Sequence, residues 1–287
     1  MAPASIESET IRQAFAHTAK IAGHYENFTV VSLLLPRRLK PHFYNVYAFC
    51  RHADDLADEV ADREQSLRLL GELKDDVLRM YHGQPRNVIL IALRETVREF
   101  GIPADEFLKL IDAFEQDQRI TRYQTFDDLV GYCQRSADPV GRLVLYLCGY
   151  RDLERQQLSD FTCTALQLAN FWQDVSNDLD RGRIYIPQED LQRFRVPEAD
   201  LLARRFSPDF AMLMDFEVNR TVGLFVQVED LLPLVRRQVR TDIALYGRGG
   251  RAILQAVRQI GYNTLQRRPT ISKSRKLLLL LRYLLNL

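Results

Sequence analysis

The chain has 287 residues, enough to bury a sizeable core, and its 46% hydrophobic content excludes wholesale disorder. Lysine and arginine total 39 against 38 aspartates and glutamates, so the chain lacks the basic excess that nucleic-acid-binding proteins usually carry. The 4 cysteines are far apart with no CxxC spacing, which is typical of buried, reduced side chains. The polar N-terminus is unlike a secretory signal, and no run of about 18 apolar residues exists, so we expect a cytoplasmic protein without a spanning helix.

Helical periodicity dominates the chain and strand alternation is almost absent, which predicts an all-α fold. Most prolines fall where the helical pattern breaks. Helices are predicted, with ends accurate to about 2–4 residues, over 41–62, 64–82, 88–101, 103–118, 126–150, 152–181, 207–246 and 249–266, with a last helix from 272. Residues 28–35 fit either an extended or a helical segment, and the glycines at 247–250 are expected to break a helix.

The chain contains no Gly/Ser-rich linker, repeat or low-complexity tract. Long helices with short loops therefore predict a single all-α domain over 1–287, in which 1–20 is a candidate mobile segment. The predicted helices 41–62 and 152–181 are apolar over most of their circumference, so we expect them in the middle of the bundle.

A first polar stripe runs along the predicted helix 41–62. At about 100° per residue its members fall within an arc of about 60°, and they are Tyr47, Arg51, Asp54 and Asp58. Asp54 and Asp58 are one turn apart, so their carboxylates point the same way, whereas Asp55 lies about 100° further round. Two carboxylates on an otherwise apolar helix need a compensating charge, because unpaired buried charge is expensive.

A second, longer stripe runs along the predicted helix 152–181. Its members span an arc of about 80°, and they are Gln167, Asn170, Asp174, Asp178 and Arg181. Carboxylate and amide oxygens are ligands that magnesium accepts, usually together with water and substrate phosphates. The two stripes therefore favour a diphosphate-processing magnesium enzyme over the alternative of solvated, salt-bridged helix faces, since each stripe combines carboxylates with an arginine on an apolar helix.

Two segments resemble the signature motifs of the squalene/phytoene synthase family. They are YAFCRHADDLADE at 47–59 and LQLANFWQDVSNDLDRGRIYIP at 166–187, and the resemblance extends from about residue 24 to the C-terminus. It implies an all-α isoprenoid synthase bundle with a central prenyl cavity, in which magnesium assists the head-to-head joining of two prenyl diphosphates. The pairing of both intact motifs argues against a catalytically silent binding or assembly protein.

The resemblance also implies roles for individual residues. Magnesium ligands would be Asp54 and Asp58 on the first helix and Asn170, Asp174 and Asp178 on the second. Diphosphate or substrate contacts would come from Arg51, Tyr47, Gln134, Gln167 and Gln173. Relatives carry a serine-rich diphosphate-contacting stretch where this chain has His24, Tyr25, Asn27 and Phe28, so contact there is expected with changed chemistry.

Within the family, three details resemble the hydroxysqualene synthase branch of bacterial hopanoid biosynthesis. They are HYENF followed by LLLPRRLKPHF, then NFWQDV, and then SADPVGR at 136–142. That branch is understood to ionise presqualene diphosphate and to capture the rearranged cation with water. The condensing synthases of squalene or phytoene type, which consume farnesyl diphosphate or a longer homologue, are the alternative.

Two departures from the family pattern favour the narrower assignment. Relatives that make the cyclopropyl intermediate usually have arginine immediately before the first aspartate of the second motif, where this chain has Gln173. Where they carry a tyrosine followed by small residues, this chain has the polar run QRSADP at 134–139. These polar groups are expected either to position a water or, for Arg135 and Asp138, to pair with each other.

The sequence also bears on a general base, on a dinucleotide-binding site and on the C-terminal segment. No residue stands out as a general base. His24 is a candidate only because it is near the motif region, and the alternative is that it has a structural role. The glycine cluster at 247–250 follows no predicted strand, which argues against a Rossmann site but does not exclude NADPH itself. The basic, leucine-rich segment 273–287 fits either a last helix packed on the bundle or an interfacial helix at the inner membrane face.

Overall fold

A computed structural model of the chain describes residues 3–23 and 36–271. The secondary structure of these residues is helical, without a strand and with one isolated bridge between Arg122 and Ile184. The all-α prediction is confirmed. The predictions for residues 28–35 and for a helix from 272 fall outside the described residues.

The helices follow the chain in this order: α1 (Pro3–Gly23), α2 (Lys40–Asp58), α3 (Arg63–Tyr81), α4 (Val88–Phe100), α5 (Ala104–Asp117), α6 (Phe126–Ser136), α7 (Asp138–Leu147) and α8 (Leu153–Asp180). After α8 come α9 (Gln188–Arg193), α10 (Glu198–Leu202), α11 (Pro208–Leu224), α12 (Val228–Leu231) and α13 (Arg237–Gln259). Two 3-10 turns, Phe225–Gln227 and Leu232–Leu234, flank α12.

Local capping explains several of these helix ends. The side chain of Asp62 accepts a hydrogen bond from the Glu64 amide at the start of α3, and Asn87 does the same for Ile89 at the start of α4. Thr125 begins α6 with a capping box. At the end of α4, Gly101 adopts a left-handed conformation with φ of 62°.

Four predictions about the helices were wrong, apart from two short helices that were not predicted. A helix, α1, lies in the first 23 residues, where none was predicted. The predicted helix 126–150 divides at Ala137, and the predicted helix 207–246 ends at Leu224. The glycines at 247–250 lie inside α13 rather than at a break. A Cβ atom on Gly250 would overlap the Phe225 ring and come within 2.9 Å of the Leu166 side chain, so close helix packing requires glycine there.

The described helices group into two compact units. Unit 1 comprises Met1–Arg119 and Pro139–Gln156, and unit 2 comprises Ile120–Asp138 and Gln157–Leu287. One boundary falls inside α8, whose first turn belongs to unit 1 and whose remainder belongs to unit 2. A single domain with a central prenyl cavity stays a prediction.

In unit 1, α2 lies in the middle and packs against α1, α3, α4 and α5. Its buried face is mainly small or aromatic, with Ala48, Phe49 and Ala53 completely buried. A buried polar network crosses this core: the Asn45 amide donates to the Ala92 carbonyl (3.1 Å) and to Thr96 Oγ1 (2.9 Å), and Thr18 Oγ1 donates to Asn45 Oδ1 (2.5 Å). These bonds tie α1, α2 and α4 together and so determine which face of α2 remains accessible.

In unit 2, α8 supplies much of the core. Trp172 is completely buried, and its indole nitrogen donates to Thr221 Oγ1 on α11 at 2.7 Å. Phe171 stacks on Tyr185 with ring centroids 3.9 Å apart. The apolar side of α8 is thereby held against the elements that follow it, which leaves the polar stripe on the other side.

The sequence pattern predicts buried, reduced cysteines, and two of the four are buried. All four cysteines are free; Cys133 and Cys148 are buried, whereas Cys50 and Cys163 are half-buried. Within residues 3–23 and 36–271, the structure contains no helix both long and apolar enough to span a membrane.

Candidate functional site

The first polar stripe lies on α2 as predicted. Because α2 is unbroken from Lys40 to Asp58, the i,i+4 spacing of Asp54 and Asp58 keeps both carboxylates on one side of the helix. Tyr47, Arg51 and Asp54 are half-buried, and Asp58 is exposed. The stripe is therefore the accessible side of a helix whose other side is core.

Arg51 is the centre of the charges on the last turns of α2. Its guanidinium lies 2.9 Å from Asp54, 2.5 Å from Asp55 and 2.9 Å from Glu59. One positive charge thus serves several carboxylates, and the end of α2 retains an excess of negative charge. A cation or a protonated group is favoured beside such an excess.

A cavity of about 590 Å³ in unit 1 adjoins the first stripe. Its wall includes Arg51 and Asp55 but neither Asp54 nor Asp58, and its other lining residues are His17, Lys20, Ile21, Ala48, His52, Asn87, Val88 and Ile89. His52 lies 3.2 Å from the Asn87 amide, and burial lowers its pKa. Asp55 therefore lines this cavity together with Arg51, and its exclusion from the predicted magnesium ligands stays a prediction.

The second stripe lies on α8 and is also continuous. α8 runs unbroken through Gln167, Asn170, Asp174 and Asp178, so the predicted alignment of these side chains along one face is retained. Asn170 is exposed and the other three are half-buried. Arg181 follows the end of the helix, and its amide donates to the Asp178 carbonyl at 3.1 Å.

Arg268 is the partner of Asp174 in this structure. Its Nε and Nη2 atoms donate to the two carboxylate oxygens of Asp174, and the Nη2 hydrogen bond is 3.0 Å long. Asp174, with a further contribution from Asp178, raises the pKa of Arg268. The second stripe thus attracts a positive charge from a residue distant in the sequence.

Gln173 is turned away from the accessible stripe. It is buried, and its Nε2 donates to the Pro269 carbonyl at 2.6 Å. The two adjacent residues Gln173 and Asp174 therefore bind two adjacent residues of the C-terminal segment, Pro269 and Arg268. The predicted substrate contact of Gln173 stays a prediction, and its amide group has a structural partner.

The RGRIYIP part of the second motif anchors the end of α8. The Ile184 amide donates to the Thr121 carbonyl at 2.9 Å, and the Arg122 side chain donates to the Gly182 carbonyl at 2.6 Å. Arg122 also pairs with Glu198 at 2.8 Å. These contacts hold the chain as it leaves the second stripe.

Several predicted substrate residues lie elsewhere or outside the described residues. His24, Tyr25, Asn27 and Phe28 are outside them. Gln134 is exposed on α6. In the polar run that follows, Asp138 is buried and accepts a hydrogen bond from Thr164 Oγ1 at 2.8 Å, so one of its oxygens serves to connect α7 with α8.

The side chains of both stripes fit magnesium by their donor chemistry. Within residues 3–23 and 36–271, no group of three or more His, Cys, Asp or Glu side chains is placed to hold a metal by itself. Each stripe offers two carboxylates, which is the usual protein contribution to a magnesium ion that also binds substrate phosphates. Arginine already pairs with Asp54 and with Asp174, so these carboxylates accept a positively charged partner.

Sequence patterns did not reveal Arg268 or Arg122 as partners of the second motif. Arg268 is 94 positions from Asp174, and Arg122 is 60 from Gly182. Helical periodicity relates residues within a few turns and carries no information at that separation. The only local signal was the pair of arginines before Pro269, at the end of the predicted helix 249–266.

Comparison with known proteins shows the family of the chain. The family model described as squalene/phytoene synthase matches residues 21–275, which include both stripes and the segment that carries Arg268. The chain belongs to the squalene/phytoene synthase family. It is therefore an isoprenoid synthase of the kind that acts on prenyl diphosphates.

Three members of the family illustrate the similarity. The crystal structure of squalene synthase HpnC from Alicyclobacillus acidocaldarius is 45% identical, covers 88% of this chain and 96% of its own, and has a TM-score of 0.84. A dehydrosqualene synthase in complex with a ligand is 26% identical, covers 98% of this chain and 100% of its own, and has a TM-score of 0.86. The presqualene diphosphate synthase of Rhodopseudomonas palustris is 30% identical over 93% of this chain and 95% of its own.

Proposed function

We propose that this squalene/phytoene synthase family member converts presqualene diphosphate to hydroxysqualene in a magnesium-dependent step of hopanoid biosynthesis. The observation that carries the proposal is Gln173, because it stands where condensing relatives usually have arginine. Its amide is buried and engaged with the Pro269 carbonyl. The 45% identity to squalene synthase HpnC supports the same branch.

The proposed reaction balances without a reductant. The carbon–oxygen bond to diphosphate breaks, and both electrons leave with the diphosphate. The carbocation rearranges in an apolar environment that excludes bulk water. The oxygen of one water then bonds to the cation, and the proton released passes to solvent. His24 stays a candidate for accepting this proton, and no dinucleotide is required.

The chain's own residues bind and orient the diphosphate in this scheme. We assign the diphosphate contacts to Arg51 and Tyr47 on α2, and a substrate contact to Gln167 on α8. Asp54 and Asp58, together with Asn170, Asp174 and Asp178, would hold magnesium. When bound, magnesium neutralises the negative charge that develops on the leaving diphosphate.

A condensing reaction of squalene or phytoene type is the second candidate. The 30% identity to a presqualene diphosphate synthase favours it, since that relative's name describes the product of the first condensation. Both candidates use the same aspartates. They differ in whether farnesyl diphosphate or a longer prenyl diphosphate is consumed.

The deciding experiment supplies the purified full-length chain and magnesium with presqualene diphosphate, farnesyl diphosphate or geranylgeranyl diphosphate in separate reactions. We expect an alcohol from presqualene diphosphate, identified by gas chromatography and mass spectrometry, and no consumption of the other two. A parallel reaction with a chelator should release no diphosphate. Conversion of farnesyl or geranylgeranyl diphosphate would instead establish the condensing reaction.

A further inference from the structure

The chain leaves α13 and returns along α8 as the segment 261–271, which we call the strap. Gly261 and Tyr262 reverse the chain direction with φ values of 63° and 64°. The Tyr262 hydroxyl donates to Asp215 at 2.5 Å, and Thr264 and Leu265 are completely buried. The first half of the strap is therefore anchored in unit 2 independently of the polar stripe.

The second half of the strap lies on the second stripe. Gln266 Nε2 donates at 3.3 Å to the carbonyl of Arg204, whose side chain donates to the Ser176 carbonyl of α8 at 3.2 Å. Arg268 and Pro269 then bind Asp174 and Gln173. The strap thus covers α8 at Asp174, which belongs to the proposed magnesium group, and at the neighbouring Gln173.

The contacts of the second half differ in how easily they can be broken. The Gln173–Pro269 hydrogen bond is buried, so its loss would leave a buried carbonyl without a donor. The Arg268–Asp174 pair is accessible, with 44% of the arginine side chain and 25% of the aspartate side chain exposed. A divalent cation can reach this accessible pair and, because it carries twice the charge of the guanidinium, can compete with Arg268 for the carboxylate.

We propose that the Arg268 side chain is the displaceable part of the strap: it covers the second stripe and neutralises Asp174 until a divalent cation binds and breaks the pair. The proposal rests on the magnesium role proposed above for Asp174. Gln173 is the positioning residue of the strap, because its bond to Pro269 places the preceding residue, Arg268, over the adjacent carboxylate. The raised pKa of Arg268 agrees with its place among the negative charges of Asp174 and Asp178.

The first test measures the affinity of the full chain for Mn²⁺ alone, by isothermal titration calorimetry or by the electron paramagnetic resonance signal of the free ion. We expect Arg268→Gln to tighten Mn²⁺ binding by about fivefold, since a competing charge is removed. Arg267→Gln is the matched control, because Arg267 is the exposed neighbour and removes the same charge. Equal or weaker Mn²⁺ binding by Arg268→Gln relative to Arg267→Gln overturns the proposal.

Asp174→Asn separates this proposal from the proposed function. If that variant binds Mn²⁺ as tightly as the parent chain, the metal role of Asp174 is wrong and the strap proposal falls with it. If it binds Mn²⁺ more weakly while Arg268→Gln matches Arg267→Gln, only the strap proposal is wrong.

Hydrogen exchange of peptides spanning 262–271 tests the role of Gln173 without reference to activity. Gln173→Met keeps the approximate volume and removes the donor, so exchange in the strap should rise severalfold while exchange in α2 is unchanged. Mn²⁺ should raise strap exchange in the parent chain and not in Asp174→Asn. Unchanged exchange in Gln173→Met, or an Mn²⁺ effect that persists in Asp174→Asn, would refute the assignment.

Discussion

Asp54 and Asp55 are neighbours in the sequence, and both pair with Arg51. Only Asp54 lies on the predicted metal-binding stripe, whereas Asp55 lines the cavity beside His52 and Asn87. The two carboxylates therefore have the same charge and nearly the same exposure but different surroundings. Substituting each aspartate in turn therefore distinguishes the loss of a metal ligand from the loss of a negative charge alone.

Asp54→Asn should lower the rate of magnesium-dependent diphosphate release by about 100-fold or more, because loss of even an outer-shell partner costs 10–100-fold. Asp55→Asn should retain most of the activity. The measurement is release of inorganic diphosphate at saturating magnesium, with circular dichroism to show that both variants fold. Equal losses in the two variants would contradict the assignment of the stripe.

A second feature at the residue scale is a buried charge cluster in unit 2. Arg220 donates to both oxygens of Glu217, at 2.7 and 2.6 Å, and to Asp190 at 2.7 Å. One guanidinium therefore serves two buried carboxylates and also stacks on the Phe126 ring. Burial outweighs the attraction of Arg220 and raises the pKa of Glu217 to about 8.

This raised pKa predicts a pH dependence of stability. Between the ordinary glutamate pKa of 4.5 and about 8, the folded chain holds a proton on Glu217 that the unfolded chain has lost. The contribution of Glu217 to stability therefore falls as pH rises through this window. Glu217→Gln should remove that decline. The free energy of unfolding in urea should therefore be more favourable to the variant, relative to the parent chain, at pH 8 than at pH 5.

The exposed Glu72 supplies the control for this measurement. Glu72→Gln should leave the pH dependence of the unfolding free energy as it is in the parent chain. A Glu217→Gln variant whose stability difference from the parent is the same at both pH values would show that Glu217 is ionised throughout.

At the residue scale, the sequence predicted the local relations and missed the distant ones. The alignment of Asp54 with Asp58, and of Asp174 with Asp178, follows from helical geometry alone. Arg51 was found because it lies one turn from Asp54. Arg268 was not, because its contact with Asp174 depends on the path of the chain after α13.

At the scale of elements, α13 shows why a glycine cluster was misread. Glycine lowers helix propensity, so the run at 247–250 predicts a break, yet α13 continues through it. Gly250 faces the Phe225 ring and Leu166, and Gly247 faces Val228, with a Cβ-to-side-chain separation of 3.1 Å for the latter. Tertiary packing, which local propensity does not report, decides the outcome.

Gly249 and Gly250 provide a matched pair of substitutions within α13. Gly250→Ala should lower the free energy of unfolding by about 1–3 kcal/mol, because the added methyl group overpacks the core. Gly249→Ala meets no neighbour within 4 Å and should raise it by up to about 1 kcal/mol through helix propensity. Urea unfolding midpoints give both values, and a Gly250→Ala chain as stable as Gly249→Ala would show that this contact is not close.

Helix positions were otherwise predicted well where the apolar pattern is long and begins at a recognisable cap, as in α3 and α4. The short helices α9 and α10 were missed, since their six and five residues are too few to display a periodic pattern.

At the scale of the whole molecule, the segment from 273 combines leucines with Arg275, Lys276 and Arg282. We propose a peripheral contact with anionic lipid for this segment, since an apolar and basic composition favours the membrane interface. A chain ending at Ser272 should then lose binding to liposomes that contain anionic lipid, as measured by co-sedimentation. Retention of binding, with folding unchanged by circular dichroism, would refute the contact.

The boundary inside α8 has a consequence for synthesis on the ribosome. Unit 1 ends in Pro139–Gln156, so its last helices emerge only after Ile120–Asp138, which belongs to unit 2, has already been made. At about 5–20 residues per second, the first 119 residues wait for one or more seconds before their remaining partners are available. Neither unit can be completed from one continuous stretch of the growing chain. A nascent chain released before residue 156 should therefore depend on chaperones more than its length alone suggests.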